Sequence, residues 1–128
     1  LLGLCKVKTG LQTVFDDIQL RLMDFMAVVS DNRSEPDAER TARLADAITH
    51  MEQVIDDFSA GYRFHFVLPG TDETDAVLHL TRAKVRTCER RLIALQRFHT
   101  VPEVLTKYIN RLSDFMFCMI EQRVNVKR

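Results

Sequence analysis

The sequence predicts an all-α fold, an antiparallel up-and-down bundle of four to five long helices. Two observations carry this. Apolar residues recur at alternating spacings of three and four through four segments, the period of a helix with one buried face. The prolines at 36, 69 and 102 fall between those segments rather than inside them. A chain of 128 residues is enough for one domain with a single core. Each segment has roughly 20 residues or more, so each helix reaches ~30 Å, and mostly short links favour antiparallel neighbours.

The first long segment runs from about Leu11 to Val29, with Leu11, Phe15, Ile18, Leu22, Phe25, Met26 and Val29 as its apolar positions. Leu1 to Val7 reads as an earlier stretch of the same helix, or as a separate one if Gly10 breaks it. Because the chain opens on an apolar stretch without methionine, it reads as starting inside an element, with residues upstream. The polar run from Ser30 to Pro36 ends this segment. A second helix follows from about Asp37 to Phe58, with Leu44, Ile48, Met51, Ile55 and Phe58 as its buried stripe and Gly61 just past its end.

Tyr62 to Gly70 alternates as a strand would, but it has no second strand to pair with and reads as an extended connection closed by a Pro69-Gly70 turn. Thr71 or Asp72 then caps a third helix, from about Glu73 to Phe98. Its apolar and small positions are read as Val77, Leu80, Ala83, Thr87, Ala94 and Leu95. The fourth starts near Pro102, a good first helical residue, and continues to about Val124 on a stripe of Leu105, Ile109, Leu112, Phe115, Met116 and Met119.

Composition excludes several classes. Eighteen Lys and Arg balance eighteen Asp and Glu, so the chain lacks the basic surplus of a general nucleic-acid or anionic-membrane binder. No apolar run approaches the ~20 residues of a membrane span, and no signal peptide is visible. Cys5, Cys88 and Cys118 form neither a disulfide framework nor a zinc knuckle. His50, His65, His79 and His99 show no ligand spacing, so no protein-ligated metal is expected. Reduced thiols point to the bacterial cytosol or, in a eukaryote, the mitochondrial matrix.

One stripe stands out from the amphipathic background. His79, Arg82, Arg86 and Glu89 lie on one side of the third helix, with Arg90 and Arg91 beside them, and Asn110, Ser113, Asp114 and Phe117 form a similar stripe on the fourth. A solvated face with i, i+3 and i, i+4 ion pairs explains such spacing. The residue types also suit a nucleotide. An Arg fork matches phosphate oxygens bidentately, a carboxylate accepts a sugar hydroxyl, and Asn both donates and accepts. Spacing does not decide between the two.

The residues themselves carry a resemblance. Phe66 to Gly70 (FVLPG), Leu78 to Arg91 (LHLTRAKVRTCERR) and Tyr108 to Phe117 (YINRLSDFMF) resemble, in order and spacing, the successive blocks of the PduO-type ATP:cob(I)alamin adenosyltransferases. The likeness is specific over Phe66 to Phe117; before that, Phe15 to Ser30 is similar to a long helix of the family. The resemblance implies a cobalamin adenosyltransferase-like helical bundle over residues 1–128, assembled as a homotrimer with sites between subunits. It implies an enzyme that moves the 5′-deoxyadenosyl group of ATP to cob(I)alamin and releases triphosphate. ATP, Mg²⁺ and a cobalamin bound without its lower base are then expected, with a reductase or a cobalamin-dependent acceptor enzyme as further partners.

By similarity, Arg86 lies on the ATP phosphates and Glu89, Asn110 and Arg111 belong to the nucleotide site. Phe66 faces the lower side of the corrin and is expected to act with Arg86 in catalysis, while Asp114 is assigned to cobalamin. Arg82 pairs with an acidic residue at the subunit contact. Two departures bear on this. Thr87 stands where the family has the second arginine of a pair, and Thr9-Gly10 does not reproduce the family's glycine-rich phosphate loop, so that loop and the acidic partner of Arg82 are expected upstream. The alternative is a non-catalytic bundle of the same ancestry that binds cobalamin or a nucleotide.

Overall fold

The computed structural model describes residues 1–30, 37–60 and 72–127, of which 123–127 are described as backbone only. Within them lie five helices and no strand: α1 (Leu2–Thr9), α2 (Gln12–Val29), α3 (Ala38–Ala60), α4 (Glu73–Leu95) and α5 (Glu103–Lys127). The all-α expectation holds. Phe66 and the extended connection read at Tyr62 to Gly70 lie outside the described residues.

Gly10 separates α1 from α2. Its φ of 72° puts it in the left-handed region, and its N–H closes α1 on the Lys6 carbonyl. The chain then doubles back. Lys6 Nζ donates to Asp16 Oδ1 at 2.7 Å and to Gln19 Oε1 at 2.9 Å, whereas a continuous helix would hold Lys6 and Gln19 ~20 Å apart. α1 is thus a short helix folded against α2, not an extension of it.

The helices pack as a closed ring. α1 meets α2, α2 meets α3, α3 meets α5, α5 meets α4, and α4 returns to α1. Two aromatic rings bridge the middle, with Phe25 of α2 and Tyr108 of α5 at a centroid distance of 6.3 Å. Around them lie the fully buried Phe15, Leu44, Leu78, Leu105, Leu112 and Met116. Cys5 ties α1 to α4: its Sγ lies 3.1 Å from Thr81 Oγ1. That hydroxyl already donates to the Val77 carbonyl at 2.8 Å, so the thiol is the donor.

Helix boundaries follow local chemistry. The Asp37 carboxylate accepts from the N–H groups of Glu39 and Arg40, and Asp72 accepts from that of Asp75, so both starts are capped by Asp. The third predicted helix stops at Leu95 rather than Phe98, because Arg97 and Phe98 turn into i→i−3 bonds with Ala94 and Leu95. Phe98 is left exposed.

Two buried stripes differ from expectation. On α2, Phe15, Ile18, Phe25 and Val28 are buried, while Leu11, Met26 and Val29 are exposed. On α4 the buried line is Asp75, Leu78, Thr81, Val85, Glu89 and Leu92, not the set of Val77, Leu80, Ala83, Thr87, Ala94 and Leu95. Leu80 is 49% exposed. Three of the six inward positions on α4 are polar, so hydrophobicity alone places the stripe on the wrong side.

Candidate functional site

That inward turn of α4 carries Glu89 into the seam with α5. The Glu89 side chain is largely buried, at 12% exposure. A buried carboxylate needs a donor, and Asn110 of α5 supplies it: Nδ2 donates to Glu89 Oε2 at 2.7 Å. The other end of the same amide is also used, with Arg111 Nη1 donating to Asn110 Oδ1 at 3.0 Å. These two bonds fix which way the amide faces. Arg111 Nη1 also reaches Asp114 Oδ2 at 3.4 Å, and its Nε donates across to Glu52 Oε1 of α3 at 3.2 Å. Lys107 Nζ lies 3.6 Å from the same Glu52 oxygen.

Arg86 completes the line loosely. Its Nη1 is 3.9 Å from Glu89 Oε1, too far for a hydrogen bond, and the side chain is 48% exposed. The guanidinium is therefore steered by Glu89 but keeps most of its donors for a ligand. Arg82 sits one turn earlier, its guanidinium carbon 5.2 Å from the centre of the Phe117 ring of α5. Arg82 Nε is buried without a hydrogen-bond partner among the described residues. Thr87 donates to the Ala83 carbonyl and accepts from Arg90 Nη2 at 3.2 Å, which brings a second guanidinium alongside.

Of the residues singled out in the sequence, then, Arg86, Glu89, Asn110, Arg111 and Asp114 come together across α4 and α5. Arg82 lies beside them, and Phe66 falls outside the described residues. Sequence reasoning missed Glu52 and Lys107. Glu52 neighbours the buried Met51 on α3, but nothing in its spacing signals a pairing with a residue 59 positions away.

A second polar cluster lies elsewhere. Asp24 of α2, 8% exposed, accepts from Arg43 of α3 through both oxygens, at 2.9 and 3.0 Å. The Arg43 hydrogen bond holds its carboxyl below the usual range, against the upward push of burial. Arg21 Nε is 3.3 Å from Asp24 Oδ2, close enough for charge attraction but not aligned as a hydrogen bond. This cluster borders a cavity of about 430 Å³ between α2, α3 and α5, lined by Asp17, His50, Met51, Tyr108 and Phe115 among others. The cavity shares no residue with the Glu89–Asn110 line.

A ring of helices, with a buried carboxylate pinned by asparagine and a half-exposed arginine beside it in the α4–α5 seam, defines an all-α protein. Residues 1–122 match the family described as Cobalamin adenosyltransferase, and the chain belongs to that family. The Corrinoid adenosyltransferase PduO of Citrobacter freundii is 34% identical over 110 residues, which are 83% of this chain and 32% of that protein. A second Corrinoid adenosyltransferase of Citrobacter freundii is 34% identical over 125 residues, 92% of this chain and 70% of that protein. The Corrinoid adenosyltransferase MMAB of Homo sapiens is 30% identical over 107 residues, 80% of this chain and 43% of that protein. The chain spans about a third of the length of the PduO relatives it matches. Among the described residues no helix is long and apolar enough to cross a membrane.

Proposed function

We propose that this chain is the catalytic bundle of an ATP:cob(I)alamin adenosyltransferase. The observation that carries the reading is the Arg86–Glu89–Asn110–Arg111 line, in which the residues that resemble the family's nucleotide motif converge from two helices. Membership of the family and the printed names of the relatives supply the reaction class.

In this reading Arg86 binds the phosphates of ATP. The Co(I) electron pair of the substrate forms the Co–C bond at C5′ of the ribose, the C5′–O bond breaks, and triphosphate leaves with the electrons. Negative charge grows on the leaving oxygen, and the half-free guanidinium meets it without reorganising. Glu89, held by Asn110, faces the nucleoside, Arg111 continues the nucleotide side, and Asp114 frames the side towards the corrin. Phe66, assigned by the family resemblance, would exclude the corrin's lower base, which makes the reduction of Co(II) easier; the cobalt does the chemistry and the chain tunes it. Mg²⁺ would neutralise phosphate charge on ATP; among the described residues no group of three His, Cys, Asp or Glu is placed to hold it.

Arg82 is proposed to meet a carboxylate from a neighbouring subunit of a homotrimer. Its buried, unpaired Nε and the half-exposed Ile93 about three turns on along the same face support a covered surface there. A reductase supplies the electron and a cobalamin-dependent enzyme receives the product, in the bacterial cytosol or the mitochondrial matrix. The test is an anaerobic assay of the intact protein with ATP, Mg²⁺ and chemically reduced cobalamin. Conversion of the cobalamin spectrum to the adenosylated form with one triphosphate released per cobalamin is expected. Binding of either substrate without conversion would replace the enzyme with a non-catalytic binder of the same ancestry.

A further inference from the structure

Arg111 does not stand on α5 alone. Two of its named contacts, Asn110 and Asp114, belong to its own helix; Glu52 of α3 is its contact from another helix. The polar line therefore crosses three helices, from Glu52 to Arg111, to Asn110, to Glu89, and loosely to Arg86. We infer that Glu52 is a positioning residue for the nucleotide site, setting the Asn110 amide and the Glu89 carboxylate through Arg111. The inference rests on the ATP reading of that site.

The physical reason is directional. The Asn110 amide has two orientations, and only one presents Nδ2 to Glu89. The donor from Arg111 to Oδ1 selects it, and that donor stays in place while Nε is anchored on Glu52. Without the anchor, Arg111 retains i, i+3 pairing with Asp114 at 3.4 Å and gains freedom to swing with it. The Asn110 oxygen then loses a charge-assisted donor, and the buried Glu89 carboxylate loses a fixed partner. Lys107 shares the Glu52 oxygen at 3.6 Å but contacts neither Asn110 nor Glu89, so Arg111 is the route inward.

Both side chains of the Glu52–Arg111 pair are about a third exposed, at 37% and 34%, so water screens it and the effect is modest. Glu52→Gln keeps the shape and an acceptor but removes the charge. In the intact protein, the dissociation constant for ATP measured by calorimetry is expected to rise about fivefold, the size a partly exposed ion pair supports. The KM for reduced cobalamin changes less than the ATP dissociation constant, since Asp114 keeps its pairing with Arg111, and the unfolding temperature stays as in the wild type. Glu52→Asp retracts the carboxylate by one methylene and should fall between the two; it carries the test if the glutamine variant does not fold. In a double-mutant cycle, the Glu52→Gln loss disappears in an Asn110→Ala background. Unchanged ATP binding by Glu52→Gln, or equal loss of ATP and cobalamin affinity with a lowered unfolding temperature, overturns the positioning role alone. Failure of the wild type to bind ATP overturns it together with the reading on which it rests.

Discussion

Two carboxylates on the inner faces of this bundle are satisfied in different ways. Asp24 receives a full bidentate fork from Arg43 at 2.9 and 3.0 Å, with Arg21 beside it. Glu89 receives one bond from Asn110, and its nearest cation stands off at 3.9 Å. The first arrangement commits Arg43 to two carboxylates, with two donors on Asp24 and one on Glu39, and ties α2 to α3. The second keeps a guanidinium half in solvent beside a fixed carboxylate. A saturated cluster stabilises; an unsaturated one is ready to bind. Burial alone does not separate them, since the two side chains are similarly buried, at 10% and 12% exposure.

The sharpest way to break this comparison is to remove the unsaturated arginine. Arg86→Ala should lower turnover with ATP by about 10²- to 10³-fold, the usual loss when a charge-stabilising donor goes, with the unfolding temperature unchanged. Steady-state kinetics with pre-reduced cobalamin, alongside thermal unfolding, checks it; normal turnover removes Arg86 from the chemistry. Next in size is Phe66→Ala, which should slow the route that starts from Co(II) more than the route from pre-reduced Co(I). Equal losses in both would make Phe66 a packing residue.

Smaller still is the saturated cluster. Asp24→Asn should cost about 1 kcal/mol of stability, since Arg43 can turn its partly exposed head to water, and lower the unfolding temperature by a few degrees. It should leave ATP affinity unchanged. The same cluster sets an acid limit. The folded state holds the Asp24 carboxyl below its unfolded value of about 3.9, so its contribution is fully present above that pH and is lost as pH falls further, through the folded value. The Asn variant should therefore show a flatter stability profile than wild type below about pH 4. The smallest effect is on thiol labelling. Cys88 is exposed, its thiol pushed up by partial burial and pulled back by Arg91, whereas Cys5 and Cys118 are buried, and burial pushes the Cys118 thiol up to about 11. An alkylating reagent at pH 8 should modify Cys88 in the native chain and the other two only after unfolding.

The two clusters were not equally legible in the sequence. The helices α2 to α5 follow from apolar period and breaker residues, with ends within a few positions. The break at Gly10 was open until its left-handed conformation and the Lys6–Asp16 contact showed α1 folding back. The α4–α5 site was visible through motif residues that already resemble a family. Its inward register was not, because Asp75, Thr81 and Glu89 occupy core positions that hydrophobicity assigns to solvent. The Asp24–Arg43 fork and the Glu52 anchor were invisible: each joins helices through residues 19 and 59 positions apart, and no local spacing encodes such a pairing.

The most direct measurement is calorimetric titration of ATP into wild type, Arg86→Ala and Asp24→Asn, all well below their unfolding temperatures. The account predicts that wild type and Asp24→Asn bind alike and that Arg86→Ala loses at least about tenfold in affinity, as for a charged hydrogen-bond donor removed from phosphate. Equal binding by all three would contradict it, and loss confined to Asp24→Asn would contradict it and move the nucleotide to the cavity between α2, α3 and α5.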